Sequence, residues 1–222
     1  MSIASRIVET IIAMLCVAAL ATPPNAAEET APPPAASRYG DLVAQLRNGR
    51  TDVDLLALRN AYAEDASYDP YAFKLKFLVP EMNKAFAERD CATAMTRAQS
   101  ILDITFVYID AHFVTGICRQ QAGEEEPARR AITLARGLLG SILKSGDGKS
   151  PETAYQVIMI AEEYTVLGGL RLRKQSQSLI NANGHVYDRL DAKPADSETP
   201  VAVFFNIDRP MAALGRQLQQ KK

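Results

Sequence analysis

The residues best suited to chemistry in this 222-residue chain are few and scattered. Glu162 and Glu163 are adjacent carboxylates near the end of a helical pattern. Neighbouring helical residues point about 100° apart, so both cannot aim at one atom without a bend. One reading leaves one acid in solvent and pairs the other with an arginine, Arg59 or Arg171. The other gives one of them a raised pKa and general acid–base work. Asp110 and His112 are close in sequence but lie about 200° apart around a helix. The chain has only two histidines, His112 and His185, too few for a convincing zinc site. His112 reads as a satisfied helix residue, or as an acid or base if it lines a groove. Tyr68 and Tyr71 flank Pro70 in a turn; they either cover the core or rim a pocket with Arg59. No G-x-S-x-G nucleophile motif occurs. No catalytic residue, metal ligand or cofactor is assigned.

Gly148-Lys149-Ser150 looks like the end of a phosphate-binding loop. That motif also needs a glycine five positions before Gly148, where Leu143 stands. The better reading is a loop and a capped helix start. Gly146 and Gly148 allow left-handed backbone angles. Ser150 suits an N-cap, Pro151 the first helical position and Glu152 the positive end of the helix dipole. The expected helix carries Ala154, Val157, Ile158 and Ala161 on one face and ends near Glu162-Glu163-Tyr164.

Helices must position most of these groups. Helical spacing predicts segments over 40–47, 54–64, 71–89, 91–102 and 106–122, and from Pro127 to about Lys144. Pro80 should kink or divide the third, and Asp90 should cap the fourth. Gly116, Gly123, Ala128 and Ala135 fall where a tetratricopeptide unit needs small residues, with a weaker copy at Cys91 and Ala98. An ordinary alanine-rich hairpin has the same signature. After about residue 165 the period changes, as Leu170 and Leu172 alternate with Arg171 and Arg173. Asn183-Gly184 is a two-residue hairpin signal, and residues 200–207 read as a third, largely buried strand. The expected fold is mainly α, with tetratricopeptide-like helical hairpins closed by a small C-terminal antiparallel β-sheet between about 165 and 207. The polar tail, 209–222, is a frayed end or a short helix.

Two cysteines lie within the predicted helices. If 91–102 and 106–122 form a hairpin turning near Ile104, Cys91 lies thirteen residues before the turn and Cys118 fourteen after it. Equal distances from a turn put residues at one height on adjacent helices, within reach of a disulfide. The alternative is two buried thiols.

The amino terminus supplies the compartment. Arg6, the apolar run Ile11 to Ala21 and the small residues Ala19 and Ala21 follow the order of a secretory signal peptide. Cleavage is expected after Ala21, with Ala27 as the second site. A membrane-spanning helix needs roughly 20 apolar residues, so no transmembrane segment remains once the signal is removed. Cys16 lacks the small residues expected before a lipidated cysteine. Residues 22–38, rich in proline and alanine, read as a disordered tether, leaving 39–208 as a single domain. The net charge is -1 and tryptophan is absent. The charge balance argues against bulk nucleic-acid or anionic-membrane binding, and the missing tryptophan against flat carbohydrate platforms.

With these residues in hand, the chain resembles the domain-of-unknown-function 4919 family. The likeness rests on SYDPY at 67–71, SILKSGDGKSPETAYQVI at 141–158, EEY at 162–164, YD at 187–188 and FFNI at 204–207. It covers roughly 39–208. The family is exported and bacterial and brings no assigned activity. The resemblance implies a candidate surface of Ser145, Asp147, Ser150, Thr153, Glu163 and Tyr164. The expected function is that of an exported envelope binding or protein-interaction module, whose partner is a cell-envelope protein or peptide. The alternative is a hydrolase-like enzyme using Glu163 or Asp147, with His112, in a cleft beside Gly146-Asp147-Gly148. A structural envelope protein is the third.

Overall fold

The structure, a computed structural model, describes residues 37–197 and 199–219. The expected signal peptide and almost all of the expected tether lie outside the described residues.

Local chemistry starts several helices. Ser37 accepts a hydrogen bond from the Gly40 amide at 3.1 Å and opens α1, Arg38–Arg47. Asp54 accepts from Leu56 and Ala57 at the start of α2, Leu55–Glu64. Asp90 accepts from Thr93 and opens α4, Cys91–Ile104. Each acceptor satisfies amides that a helix start leaves unpaired. The expected helix over 71–89 is divided. Residues Phe73–Leu75 form a single 3₁₀ turn, and α3 spans only Leu78–Ala87. Ala72, at φ 54°, ends any continuous helix there. Pro80 sits in the first turn of α3, where its missing N–H removes nothing.

Helices α5, Ile109–Gln121, and α6, Glu125–Leu143, follow. Neighbours in sequence pack as neighbours in space, from α3 on α4 to α5 on α6. Small residues permit this approach. A Cβ on Gly116 would stand 2.5 Å from Ile132 and 3.2 Å from the Ala128 carbonyl oxygen. Gly123, at φ 77°, turns the chain between the two helices. Cys91 and Cys118 are joined as a disulfide, with Cα atoms 5.3 Å apart.

The expected helix from Ser150 to Tyr164 is corrected. Pro151–Thr153 make one 3₁₀ turn, Tyr155–Gln156 form strand β1, and helix α7 spans Ile160–Gly169. The run from Ala154 to Met159 is buried almost throughout, and a short apolar run carries no period that separates strand from helix. Strands β2, Leu172–Ala182, β3, His185–Pro194, and β4, Val201–Asn206, complete a sheet in the order β1-β4-β3-β2. β2–β3 and β3–β4 are antiparallel, but β1 pairs parallel with β4. The sheet is therefore mixed, not purely antiparallel as expected. The β2–β3 hairpin turns at Asn183 and Gly184, both at positive φ (53° and 80°), as a two-residue turn requires. Helix α8, Asp208–Gln219, ends the described chain and buries Pro210 and Ala213.

One hydrophobic cluster links the layers. It runs from Leu58 and Tyr62 through Met82, Ile101, Leu138 and Ile142 to Leu190 and Phe205. Helix α7 packs against both α6 and β2, so its residues stand where the helical and sheet parts meet. No described helix is long and apolar enough to cross a membrane.

Candidate functional site

The two adjacent acids of α7 have opposite surroundings. Glu162 meets Arg59 in a two-pronged ion pair, Nε to Oε1 at 3.0 Å and Nη2 to Oε2 at 2.8 Å. Glu162 Oε2 also accepts from the Ile158 amide at 2.7 Å and the Met159 amide at 3.3 Å. Arg59 donates further to Ser141 Oγ and to the Gln156 carbonyl, both at 3.2 Å. Tyr68 reaches the same segment, its hydroxyl donating to the Ile158 carbonyl at 2.5 Å. Pro70 receives the Ile160 amide on its carbonyl at 3.0 Å. Arg59, buried, and Tyr68, half-buried, therefore both hold the chain that enters α7. Of the two expected arginine partners, Arg59 is the one used.

Glu163 is fully buried, and neither carboxyl oxygen has a hydrogen-bond partner among the described residues. Loss of water pushes its pKa up to about 9. The charge of Asp188 adds to the rise, and the Lys174 ammonium works against it. A proton on Glu163 would face Asp188, although the two groups stand outside hydrogen-bond geometry in this conformation. Glu163 is thus a neutral acid at pH 7, not the solvated member of the pair. Asp188 lies on β3, nearly buried, and accepts from Gln177 Nε2 at 2.8 Å. Gln177 Oε1 accepts from Lys174 Nζ at 2.6 Å, and Lys174 also donates to the Tyr164 hydroxyl at 3.0 Å. The Lys174 ammonium stands 5.1 Å from the Tyr164 ring centroid, a cation–π contact. Tyr71 closes the group. Burial, then the charges of Asp188 and Glu163, raises its hydroxyl pKa, and the hydroxyl donates to Met211 Sδ at 3.4 Å.

The polar residues after α6 serve a turn. Asp147 Oδ1 accepts from the Lys149 amide at 3.0 Å and from Thr153 Oγ1 at 2.6 Å. Those hydrogen bonds hold its carboxyl down at about pKa 2. Ser150 Oγ lies 3.3 Å from Thr153 Oγ1. Ser145 Oγ donates to the Ile142 carbonyl at 2.6 Å and accepts from Gln156 N at 2.8 Å. The Gly148 carbonyl accepts from Phe204 N at 2.8 Å, fastening the loop to β4. His112 stands elsewhere. Its Nε2–H donates to the Phe106 carbonyl at 2.7 Å, the ring packs edge-on to Phe106, and burial pushes its pKa down to about 4.

Three groups therefore form: Arg59 and Tyr68 with Glu162; Ser145, Asp147, Ser150 and Thr153 with one another; and Tyr71, Glu163 and Tyr164 around Asp188, Gln177 and Lys174. Among the described residues no hydrogen bond, ion pair or ring contact joins Asp147, Glu163 and His112. Nor do those residues contain a group of three or more His, Cys, Asp or Glu able to hold a metal ion. Asp188, Gln177 and Lys174 were not among the expected site residues, although Asp188 stands in the YD motif; for Asp188 a signal was present. The signal was its register, since it shares the inward alternation of β3 with Leu190 and Ala192.

A family model described as a domain of unknown function, DUF4919, matches residues 39–216. The chain belongs to that family. The DUF4919 match spans all three polar groups and extends into α8. No curated protein and no solved structure gave a significant match.

Proposed function

We propose that the chain is an exported cell-envelope protein that acts by binding another macromolecule. The observation that carries this reading is the pair Phe73 and Phe77, 56% and 70% exposed on the segment between α2 and α3. Single exposed apolar side chains are ordinary. Here two aromatics lie four residues apart on a short segment that is tied down. The Lys74 amide donates to Asp69 Oδ2 at 2.8 Å, and the Ala72 amide to the Asp69 carbonyl at 3.1 Å. Leu75 anchors the segment in the core, and Phe73 stacks on Tyr71 with ring centroids 5.7 Å apart. Ala72 is held left-handed, a conformation alanine seldom adopts and one that gathers at functional segments. Pre-ordered aromatics are the usual anchors of protein interfaces.

Periplasmic delivery is supported by the order of the amino-terminal regions and by the Cys91–Cys118 bridge, which suits an oxidising compartment. A tetratricopeptide-like array over α3–α6 is supported by sequential packing and by the close seat of Gly116 on α6. The test is crosslinking in the native envelope with wild type and a Phe73→Ala/Phe77→Ala variant. Loss of crosslinked partners at unchanged melting temperature is expected. Capture of the same partners at the same yield by both would sink the reading.

A second reading, hydrolase-like chemistry, is favoured by one observation: Glu163 is fully buried with neither carboxyl oxygen hydrogen-bonded among the described residues, and burial, then the Asp188 carboxylate, raises its pKa. Its burial keeps substrate atoms away in this conformation. The test is hydrolysis of a panel of envelope esters, glycosides and peptides. Activity lost in Glu163→Gln and kept in Asp147→Ala would support it; no turnover by wild type would remove it.

A further inference from the structure

Strand β2 ends the sheet and is eleven residues long. β3 pairs with one flank, and no described strand pairs with the other. Residues 173–179 are all exposed. Ladder bonds alternate outward from the two-residue turn. The main-chain groups of Gln177, Leu179 and Asn181 therefore face away from β3. Natural sheets guard such edges with charges, prolines and bulges. Here the guards gather at one end, as Arg173, Lys174 and the register shift between Lys174 and Ser176. From Ser176 to Ala182 there is neither charge nor proline, and Leu179 is 56% exposed. Tyr164, 47% exposed on α7, stands beside this edge through its contact with Lys174.

We propose that β2 is a docking edge for an extended segment of a partner polypeptide, uncharged along its length and acidic at its carboxy-terminal end. This rests on the reading of the chain as a binding module and names the partner's chemistry. Antiparallel addition forms the stronger ladder per residue and sets the partner's carboxy-terminal end beside Arg171 and Arg173. Neither arginine has an acidic partner among the described residues. A second copy of this chain fits less well, because β2 carries two cations and no acid to meet them. Side chains of the incoming strand would cover Leu179 and Tyr164 while its main chain completes the ladder, the usual division of affinity and specificity in strand addition.

The test uses the full exported chain and two synthetic peptides of alternating threonine and valine, long enough to span β2. One ends in paired aspartates and the other in paired lysines. Hydrogen exchange follows the β2 amides, and fluorescence anisotropy follows binding. The aspartate-ended peptide should bind and slow exchange at Gln177, Leu179 and Asn181. Leu179→Pro removes an outward N–H and should abolish both effects. Arg173→Glu should weaken the aspartate-ended peptide by about tenfold and improve the lysine-ended one. The second variant alters only an exposed side chain, so it decides the matter even if Leu179→Pro fails to fold. Unchanged exchange with peptide present, or the same peptide preference in Arg173→Glu, overturns the proposal. Protection that rises with protein concentration alone also overturns it, since a second copy then covers the edge. Run beside these, continued capture of an envelope partner through Phe73 and Phe77 would show that the edge has failed and the binding reading has not.

Discussion

Arg59 on α2 and Glu162 on α7 face each other through two short bonds, 3.0 and 2.8 Å, with side chains only 3% and 4% exposed. The pair ties a helix near the start of the domain to the helix that adjoins the sheet. Its Coulomb energy is offset largely by desolvation, so the pair itself adds little net stability. Removing one member is different, because the other stays buried and uncompensated. Arg59→Ala should lower unfolding free energy by about 3–5 kcal/mol. Arg59→Ala/Glu162→Ala should cost less than the sum of the two single changes. Urea unfolding of the three variants measures both. Additive, sub-kilocalorie effects would show that the pair is not the tie the distances imply.

Glu163 should reverse the usual response of stability to pH. Its pKa is about 9 in the fold against an ordinary 4.5. Below pH 4.5 it is neutral in both states. Between 4.5 and 9 it ionises in the unfolded chain only, so stability falls as pH rises. His112 works the other way. Depressed from 6.5 to about 4, it stays neutral in the fold while the unfolded chain takes a proton, so its contribution is lost as pH falls through that window. Above pH 6.5 His112 no longer contributes a slope, and the decline towards pH 9 belongs to Glu163. Glu163→Gln should flatten that decline and stabilise the protein near pH 8, by roughly 3–6 kcal/mol. Melting temperatures of wild type and variant across pH 6.5 to 9 are the measurement. Parallel curves would mean that Glu163 is ionised in the fold.

How much of this is legible in sequence depends on how local the cause is. The hairpin at Asn183-Gly184 is, because two positive φ angles demand those residue types. Gly116 and Gly123 announce a close helix pair and its turn for equally local reasons. The segment from Ala154 to Met159 is not, since an apolar run of that length fits a strand or a helix and only pairing with Phe205 and Asn206 of β4 decides. Glu163 occupies the inward spacing with Val166 and Leu167, so its burial is readable in the helical period. Its encounter with Asp188 is not. That depends on which strand α7 crosses, and Asp188 is 25 positions further along the chain. Phe73 and Phe77 are hidden for a local reason. They sit in a segment read as a helix over 71–89 with a break at Pro80, whereas the chain breaks earlier, at the left-handed Ala72, and both rings are exposed.

The Cys91–Cys118 bridge closes a loop with a sequence separation of 27. Loop closure of that size restricts the unfolded chain by about 3–4 kcal/mol. Cys91→Ala/Cys118→Ala should therefore unfold at distinctly lower denaturant, with a somewhat steeper slope because the untied unfolded chain exposes more surface. Wild type in reductant should match the variant. Free thiols in protein recovered from the envelope under alkylation would instead leave the two cysteines as packing groups.

The turn after α6 should be sensitive in its glycines and tolerant in its acid. A Cβ on Gly146 would stand 2.2 Å from the Thr153 carbonyl oxygen and 2.9 Å from that of Ala154. Both are main-chain atoms, which cannot swing aside as a flexible side chain would. Gly148 needs φ 67°, and a Cβ there would press within 2.5 Å of the Tyr155 ring. Asp147, by contrast, is half exposed at its side chain, and two further main-chain bonds into the Thr153 carbonyl hold the loop without it. Gly146→Ala should cost at least about 2 kcal/mol through forced backbone displacement and lower the melting temperature more than Asp147→Ala does. It should also loosen β4, because the loop carbonyl that receives Phe204 N moves with it. Exchange at the Phe204 amide is the direct readout. If Asp147→Ala proves the more disruptive change, or silences partner capture while melting normally, the loop is a binding surface and not a fastening for β4.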